Sequence, residues 1–292
     1  MKKIIGVLAV GLWAALWPSA AGAQSAAEAL TLKAYFGANC LDGGEFNSGQ
    51  KGWAEFYEII FGLLSYAAGS EVRPAEFGLT GGGEVFYRIG RSLRAGLGVG
   101  VIQSSQKSDI AFTPAAAGRE PLTYTAETRM IAVPVTVNLY YFLPAKGRLA
   151  FGVHAGLGPH PAWGYASQRL SETSGDWTLN EFKVQGGGLG FQGGLGLEYV
   201  LSRGLAFTLE ARGRYAVFSN FKGDVVKSDS SGWTSSVGGL LWNERLDLGA
   251  LGSVDILDVS ETKPSGSVMS DVRRTRVDFS GVSLILGVVF RI

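Results

Sequence analysis

Large apolar residues fall on alternate positions in eight stretches of the chain. In the last, Val282, Leu284, Leu286, Val288, Phe290 and Ile292 share one parity, and Ser283, Gly287 and Arg291 lie on the other. Leu189, Phe191, Leu195, Leu197, Tyr199 and Leu201 alternate with Gly190, Gln192, Gly194, Gly196 and Glu198. Leu205, Phe207, Leu209 and Ala211 alternate with Thr208, Glu210, Arg212 and Arg214. The stretches 93–101, 131–143 and 149–157 repeat the pattern, and those near residues 30 and 80 follow it more loosely. Period two predicts strands with two unlike faces; on a helix these apolar residues would scatter around the axis. Each glycine would also cost a helix about 1 kcal/mol relative to alanine.

The connections between the stretches alternate in length. GRS at 90–92, PAKG at 144–147 and SRG at 202–204 are short; 40–75, 103–123, 159–181 and 219–273 are long. Short turns at one rim and long loops at the other are the habit of outer-membrane barrels. Two segments depart from the scheme. Pro134 stands inside a strand and cannot donate to a ladder, which predicts a bulge or a missing hydrogen bond there. Residues 53–67 carry Trp53, Phe56, Tyr57, Ile60, Phe61 and Leu64 at helical spacing, which predicts a short amphipathic helix on the membrane surface or capping the barrel. A further strand pair there would make ten strands. The last long loop has room for extra strands too.

Composition sharpens the class. Glycine is 43 of 292 residues, about twice the usual share of roughly 7%, yet the mean hydropathy is positive. Beyond the first residues no apolar run reaches the roughly 18 that a spanning helix needs. An apolar chain that lacks an apolar helix points to a strand-built span. The expected fold is therefore all-β: a closed antiparallel transmembrane β-barrel, eight strands with ten as the alternative, short periplasmic turns and long outer loops. Residues 1–23 read as a secretory signal, with Lys2 and Lys3, an apolar core and a small-residue cut after Ala23. Residues 24–292 form the barrel domain. The formal charge of +1, which becomes −1 without Lys2 and Lys3, gives no basic bias for nucleic acid. The single cysteine, Cys40, excludes an internal disulfide. Aromatic residues at the strand ends, among them Tyr87, Tyr140, Tyr141, Phe142 and Tyr199, read as interfacial girdles.

Candidate chemistry is sparse. The two histidines, His154 and His160, have no nucleophile two residues away, so no catalytic site is expected. No His/Cys cluster suggests a metal, and the glycine-rich stretches are strands without the helix that a phosphate cradle needs; no cofactor is expected. Charge on the small-residue parity is more informative. Lys33, Glu84, Arg88, Arg94, Glu198, Glu210, Arg212 and Arg214 would all point into an interior wide enough only for side chains. Paired, they would plug it as an ion-pair network; a gated or narrow pore is the other reading.

The segments MIAVPVTVNLYYFLP, GLGFQGGLGLEYVLSRGLAFTLEARGRYA and LILGVVFRI resemble the small outer-membrane β-barrel superfamily, which includes the OmpA transmembrane domain and the OmpX, OmpW and opacity-type proteins. The resemblance implies an integral protein in the outer membrane of a Gram-negative-type bacterium, in contact with outer-membrane lipids including lipopolysaccharide. It also implies insertion by the barrel-assembly machinery, which reads the last strand; Val288, Phe290 and Ile292 would serve as that signal, with Ile in place of the usual terminal Phe. The expected function is non-enzymatic, structural or surface-interacting, in a monomer. A narrow channel or OmpW-like uptake of a small or apolar solute is the alternative, and a lipid A-modifying enzyme the third reading.

Overall fold

Alternating large and small side chains select extended backbone, and the resulting strands pair antiparallel in one continuous sheet. In the computed structural model, residues 30–90, 92–143 and 147–292 are described. The proposed signal segment and most of the turn at 144–147 lie outside the described residues. The strands are β1 (Leu30–Gly44), β2 (Tyr66–Ala68), β3 (Phe77–Arg88), β4 (Leu93–Pro114), β5 (Leu122–Ala132), β6 (Val135–Phe142), β7 (Leu149–Glu172) and β8 (Trp177–Ser202). They continue as β9 (Leu205–Tyr215), β10 (Val217–Phe218), β11 (Lys222–Asp229), β12 (Thr234–Asp247), β13 (Ser253–Ser260), β14 (Met269–Arg274) and β15 (Val277–Arg291). One helix, α1 (Glu45–Leu63), follows β1 directly.

The pairing runs β1–β3–β4–β6–β7–β8–β9–β15, and β15 pairs back onto β1. The sheet therefore rings through eight strand positions. β5 continues the position of β6 across Val133 and Pro134. The ladder to β4 keeps one register on both sides of the break, Ile102 opposite Ala132 and Val99 opposite Val135. Proline has no N–H to give, so the expected fault at Pro134 is a local gap in the ladder and not a register shift.

Around the ring, the large apolar residues face outward. Leu97, Val137, Leu195, Phe207, Leu284 and Leu286 are all exposed, Leu286 to 66%. Charged residues and many of the glycines face inward. Higher on the same strands the polarity inverts. On β4 the outward positions become Gln103, Ser105, Lys107 and Asp109, and the inward ones become Ile102, Ile110 and Phe112. There the large side chains move inside, where they gain about 25 cal/mol for each Å² removed from water.

Two of the expected long loops are therefore strands. β4 and β5 occupy most of 103–123. β7 and β8 occupy most of 159–181 and meet at a turn over residues 173–176. In the last long connection, β11 takes over from β9 as the neighbour of β8, and β12, β13 and β14 extend the sheet.

Helix α1 fills this outer part. It begins eight residues before the expected start and buries Phe46, Asn47, Gly49, Gln50, Gly52 and Ala54. Phe46 joins an apolar core with Met130, Phe182, Val184, Phe221, Leu257 and Phe279. The second half of α1 packs aromatics on β4 and β5: the Tyr57 ring lies 5.1 Å from Tyr124, and Phe61 lies 4.9 Å from Phe112. Gln168 donates to Gln50 Oε1 at 2.8 Å, and Trp53 Nε1 donates to the Leu257 carbonyl at 3.1 Å. The helix packs on the inward side chains of β4, β5 and β7 as well as on β13.

Candidate functional site: the charged interior

Inside the ring, below the apolar core, the inward positions of β1, β3 and β9 bring four charges together, with Tyr140 of β6 beside them. Lys33 Nζ stands 3.5 Å from Glu84 Oε2 and pairs with Glu210. Arg212 Nη2 stands 3.0 Å from Glu84 Oε1 and 3.1 Å from Glu210 Oε2. Two cations thus share two carboxylates, and all four side chains are at most 5% exposed. Tyr140 Oη donates to Glu84 Oε2 at 2.7 Å. The Lys33 ammonium lies over the Tyr140 ring at 5.4 Å, and the Arg212 guanidinium over the Tyr35 ring at 5.0 Å. Balanced charge and several hydrogen bonds to each carboxylate are what make such a buried group tolerable.

A second cluster lies nearer the rim where the chain ends. Glu198 accepts from Arg94 Nη1 at 3.1 Å and also pairs with Arg291; the Arg94 guanidinium lies 4.1 Å from the Phe142 ring centroid. Between the clusters is a void of about 20 Å³, bordered by Lys33, Tyr140, His154, Glu198 and Glu210. That is room for about one water molecule.

Seven of the eight expected interior charges take inward positions. Arg88, the last residue of β3, shares their parity but is exposed where the strand ends. Its cross-strand partner is Arg94, which turns inward to Glu198. Arg214 is buried and apart from both clusters; its Nε donates to the Phe279 carbonyl at 2.8 Å. Val288, Phe290 and Ile292 lie on the outward face of β15 and its end, Phe290 at 47% exposure. Cys40 is exposed on the outward face of β1.

Several interior residues lie beyond the sequence expectation. Tyr140, expected at an interface, is on the inward parity and buried. Arg291 shares the inward parity of β15, a signal that points to its pairing with Glu198. Asn138 and Gln192 also face inward and are joined by a 2.8 Å hydrogen bond.

His154 stacks on Tyr140 at 4.7 Å, and its Nε2 has no hydrogen-bond partner among the described residues. Among the described residues no group of three or more His, Cys, Asp or Glu is placed to hold a metal ion. In the outer sheet, Glu244 on β12 is buried with Oε1 unpartnered. Burial, with the Asp258 carboxylate adding to it, pushes the Glu244 carboxyl up to about 7.

No curated protein matches the chain significantly. Among solved structures, a major outer membrane protein from Thermus thermophilus is similar at 13% identity, with a TM-score of 0.42, over 90% of this chain and 100% of that one. The sequence matches the family described as outer membrane protein beta-barrel domain over residues 13–238, more than half of the chain. The chain therefore belongs to the outer membrane protein β-barrel domain family, which supports a location in the outer membrane.

Proposed function

We propose that the protein is a non-enzymatic, eight-stranded integral outer-membrane barrel that acts as a structural element of the envelope or through its outer sheet. The carrying observation is the occupied interior: the buried Lys33–Glu84–Glu210–Arg212 cluster lies inside the ring, and α1 with the apolar core packs above it. Dimensions support the span. Val282 to Ile292 cover about 34 Å of extended strand, which at a tilt of about 40° rises about 26 Å, close to the ~25 Å of an outer-membrane apolar band. Because the ring leaves no open edge there, the barrel needs no second copy and functions as a monomer. Outer-membrane lipids, lipopolysaccharide among them, contact the outward apolar face. The signal segment is removed after Ala23, and the assembly machinery of a Gram-negative-type bacterium inserts the chain by its last strand.

A narrow channel is the second reading, favoured by the one-water void between the ion-pair layers. Conductance in planar bilayers separates the two. The purified full chain gives no steady current if the interior is a plug. Steady channels altered by Arg212→Ala or Glu210→Ala would overturn the plug and establish the pore.

A further inference from the structure

The hairpin of β11 and β12 leaves one edge of the outer sheet open. On one side, residues 234–240 of β12 pair with β11. On the other side β13 begins its pairing only at Leu240, so among the described residues no strand covers 234–239 there. The hydrogen bonds fix which groups are free. Leu241 N–H donates to the Phe221 carbonyl at 3.0 Å, and Asp229 N–H to the Trp233 carbonyl at 3.2 Å. Opposite residues of an antiparallel ladder alternate between bonded and non-bonded pairs. Ser235, Val237 and Gly239 therefore bond to β11. Thr234, Ser236 and Gly238 turn their N–H and C=O groups away from it, and Thr234 and Ser236 are exposed.

Open edges are normally defended by charge or proline. Here the inner strand β11 carries Lys222, Asp224, Lys227 and Asp229. The edge itself is bare: over residues 230–242 the sequence has neither a charged residue nor a proline. Val237 is 43% exposed. Glycine in an edge strand lets another backbone come close, and Gly238 has a second consequence. A Cβ there would lie 2.8 Å from Asp224 Oδ1, so the Asp224 carboxylate lies over the bare glycine, beside the open edge. Lys183, which stands opposite Asp224 on β8, has Glu181 at 3.7 Å from its Nζ.

We propose that the 234–238 edge is a docking site for an extended peptide segment of another protein, which adds to β12 as an antiparallel strand. The free groups of Thr234, Ser236 and Gly238 supply its backbone hydrogen bonds. A basic residue opposite Gly238 meets the Asp224 carboxylate, and an apolar residue next to it, opposite Val237, packs on that side chain. A second copy of this chain does not fit. The bilayer holds all copies in one orientation, so two β12 edges would meet parallel and cross at about twice the strand tilt of ~40°. Paired strands are rotated by at most about 35°. The inference rests on the surface-interaction reading above and names its partner class.

The test is fluorescence anisotropy with the full chain refolded in detergent micelles. The probe is a labelled peptide alternating arginine and valine. One matched probe has glutamate for arginine, and another carries N-methyl groups on the arginine amides. The arginine–valine peptide is expected to bind, and the N-methylated one to bind at least about tenfold more weakly. Asp224→Asn weakens the arginine probe about threefold and removes its advantage over the glutamate probe. Ser236→Pro takes away a free edge N–H without touching the β11 ladder, and abolishes binding. Should that variant not fold, the N-methylated probe on the unaltered chain decides. No binding of the arginine probe, equal binding of the two arginine probes, or full binding by folded Ser236→Pro would each overturn the proposal. So would a disulfide between two barrels carrying Val237→Cys in a Cys40→Ser background, which assigns the edge to a second copy. Failure to bind by a barrel that carries no current sinks this site alone; steady conductance in a barrel that binds sinks the plug alone.

Discussion

At the scale of single residues, the interior charges act as a set. Glu84 serves Lys33, Arg212, Tyr140 and Asn138 at once. Glu84→Gln leaves two buried cations sharing Glu210, and the expected cost is about 3–5 kcal/mol in equilibrium unfolding of the refolded barrel. The double variant Glu84→Gln with Arg212→Met removes one charge of each sign and recovers most of that loss; equal losses in the two would contradict the shared pairing. Glu244 works in the opposite sense. With its carboxyl near 7 in the folded chain and near 4.5 when unfolded, the folded form binds the extra proton between those values. Stability therefore falls as pH rises through about 4.5 to 7, by about 1–2 kcal/mol once solvent screening is allowed for, and is lowest above that window. Glu244→Gln flattens this slope and is the more stable variant at alkaline pH; an unchanged slope in chemical unfolding would refute the assignment. Parity alone makes seven of the interior charges legible, because a side chain on a strand has only two directions to take. Arg88 keeps the same parity, but the strand ends there and the side chain is exposed. Parity also places Tyr140 and Arg291 inward, but the aromatic run around Tyr140 suggests an interface and Arg291 stands beside the chain end.

At the scale of elements, the strands in the apolar band are readable in the sequence and their outer continuations are not. Below Val101, lipid outside and a crowded lumen inside impose a strict large–small alternation. Above it, β4, β5, β7 and β8 meet water on one face and α1 on the other. The outward residues become short and polar, and the inward ones mix Ser104, Ser108 and Thr128 with Ile110 and Phe112. That pattern resembles a loop when read against the membrane template. α1 is visible through its aromatic spacing, but its first turns are not, since Asn47, Gly49, Gln50 and Gly52 carry no apolar periodicity. Their smallness has a steric purpose. A Cβ on Gly52 would sit 1.7 Å from the Asp255 carbonyl oxygen, and one on Gly49 would sit 2.4 Å from Leu257 Cγ. On an isolated helix Gly→Ala is stabilising by about 1 kcal/mol. Here Gly52→Ala is expected to lift α1 from β13 and speed proteolysis within residues 240–260 at least several-fold. Unchanged cleavage would show that the helix does not depend on this close approach.

At the scale of the whole molecule, one polypeptide carries two interiors of opposite character. Across the apolar band the lumen is charged and the outside greasy; above the band the lumen is greasy and the outside polar. Each zone matches the medium around it, and the change falls between Val101 and Gln103 on β4. The central claim is that the band is embedded in lipid. Cys40 is the one cysteine in the sequence, so Cys40→Ser gives a clean background for single-cysteine spin labels at each position from 282 to 292. In bilayers, the even positions should show high accessibility to oxygen and low accessibility to a water-soluble nickel reagent, with a strict period of two. The odd positions should be shielded from both. Equal accessibility at even and odd positions, or water access at Leu284 and Leu286 in mid-band, would contradict a membrane-spanning barrel.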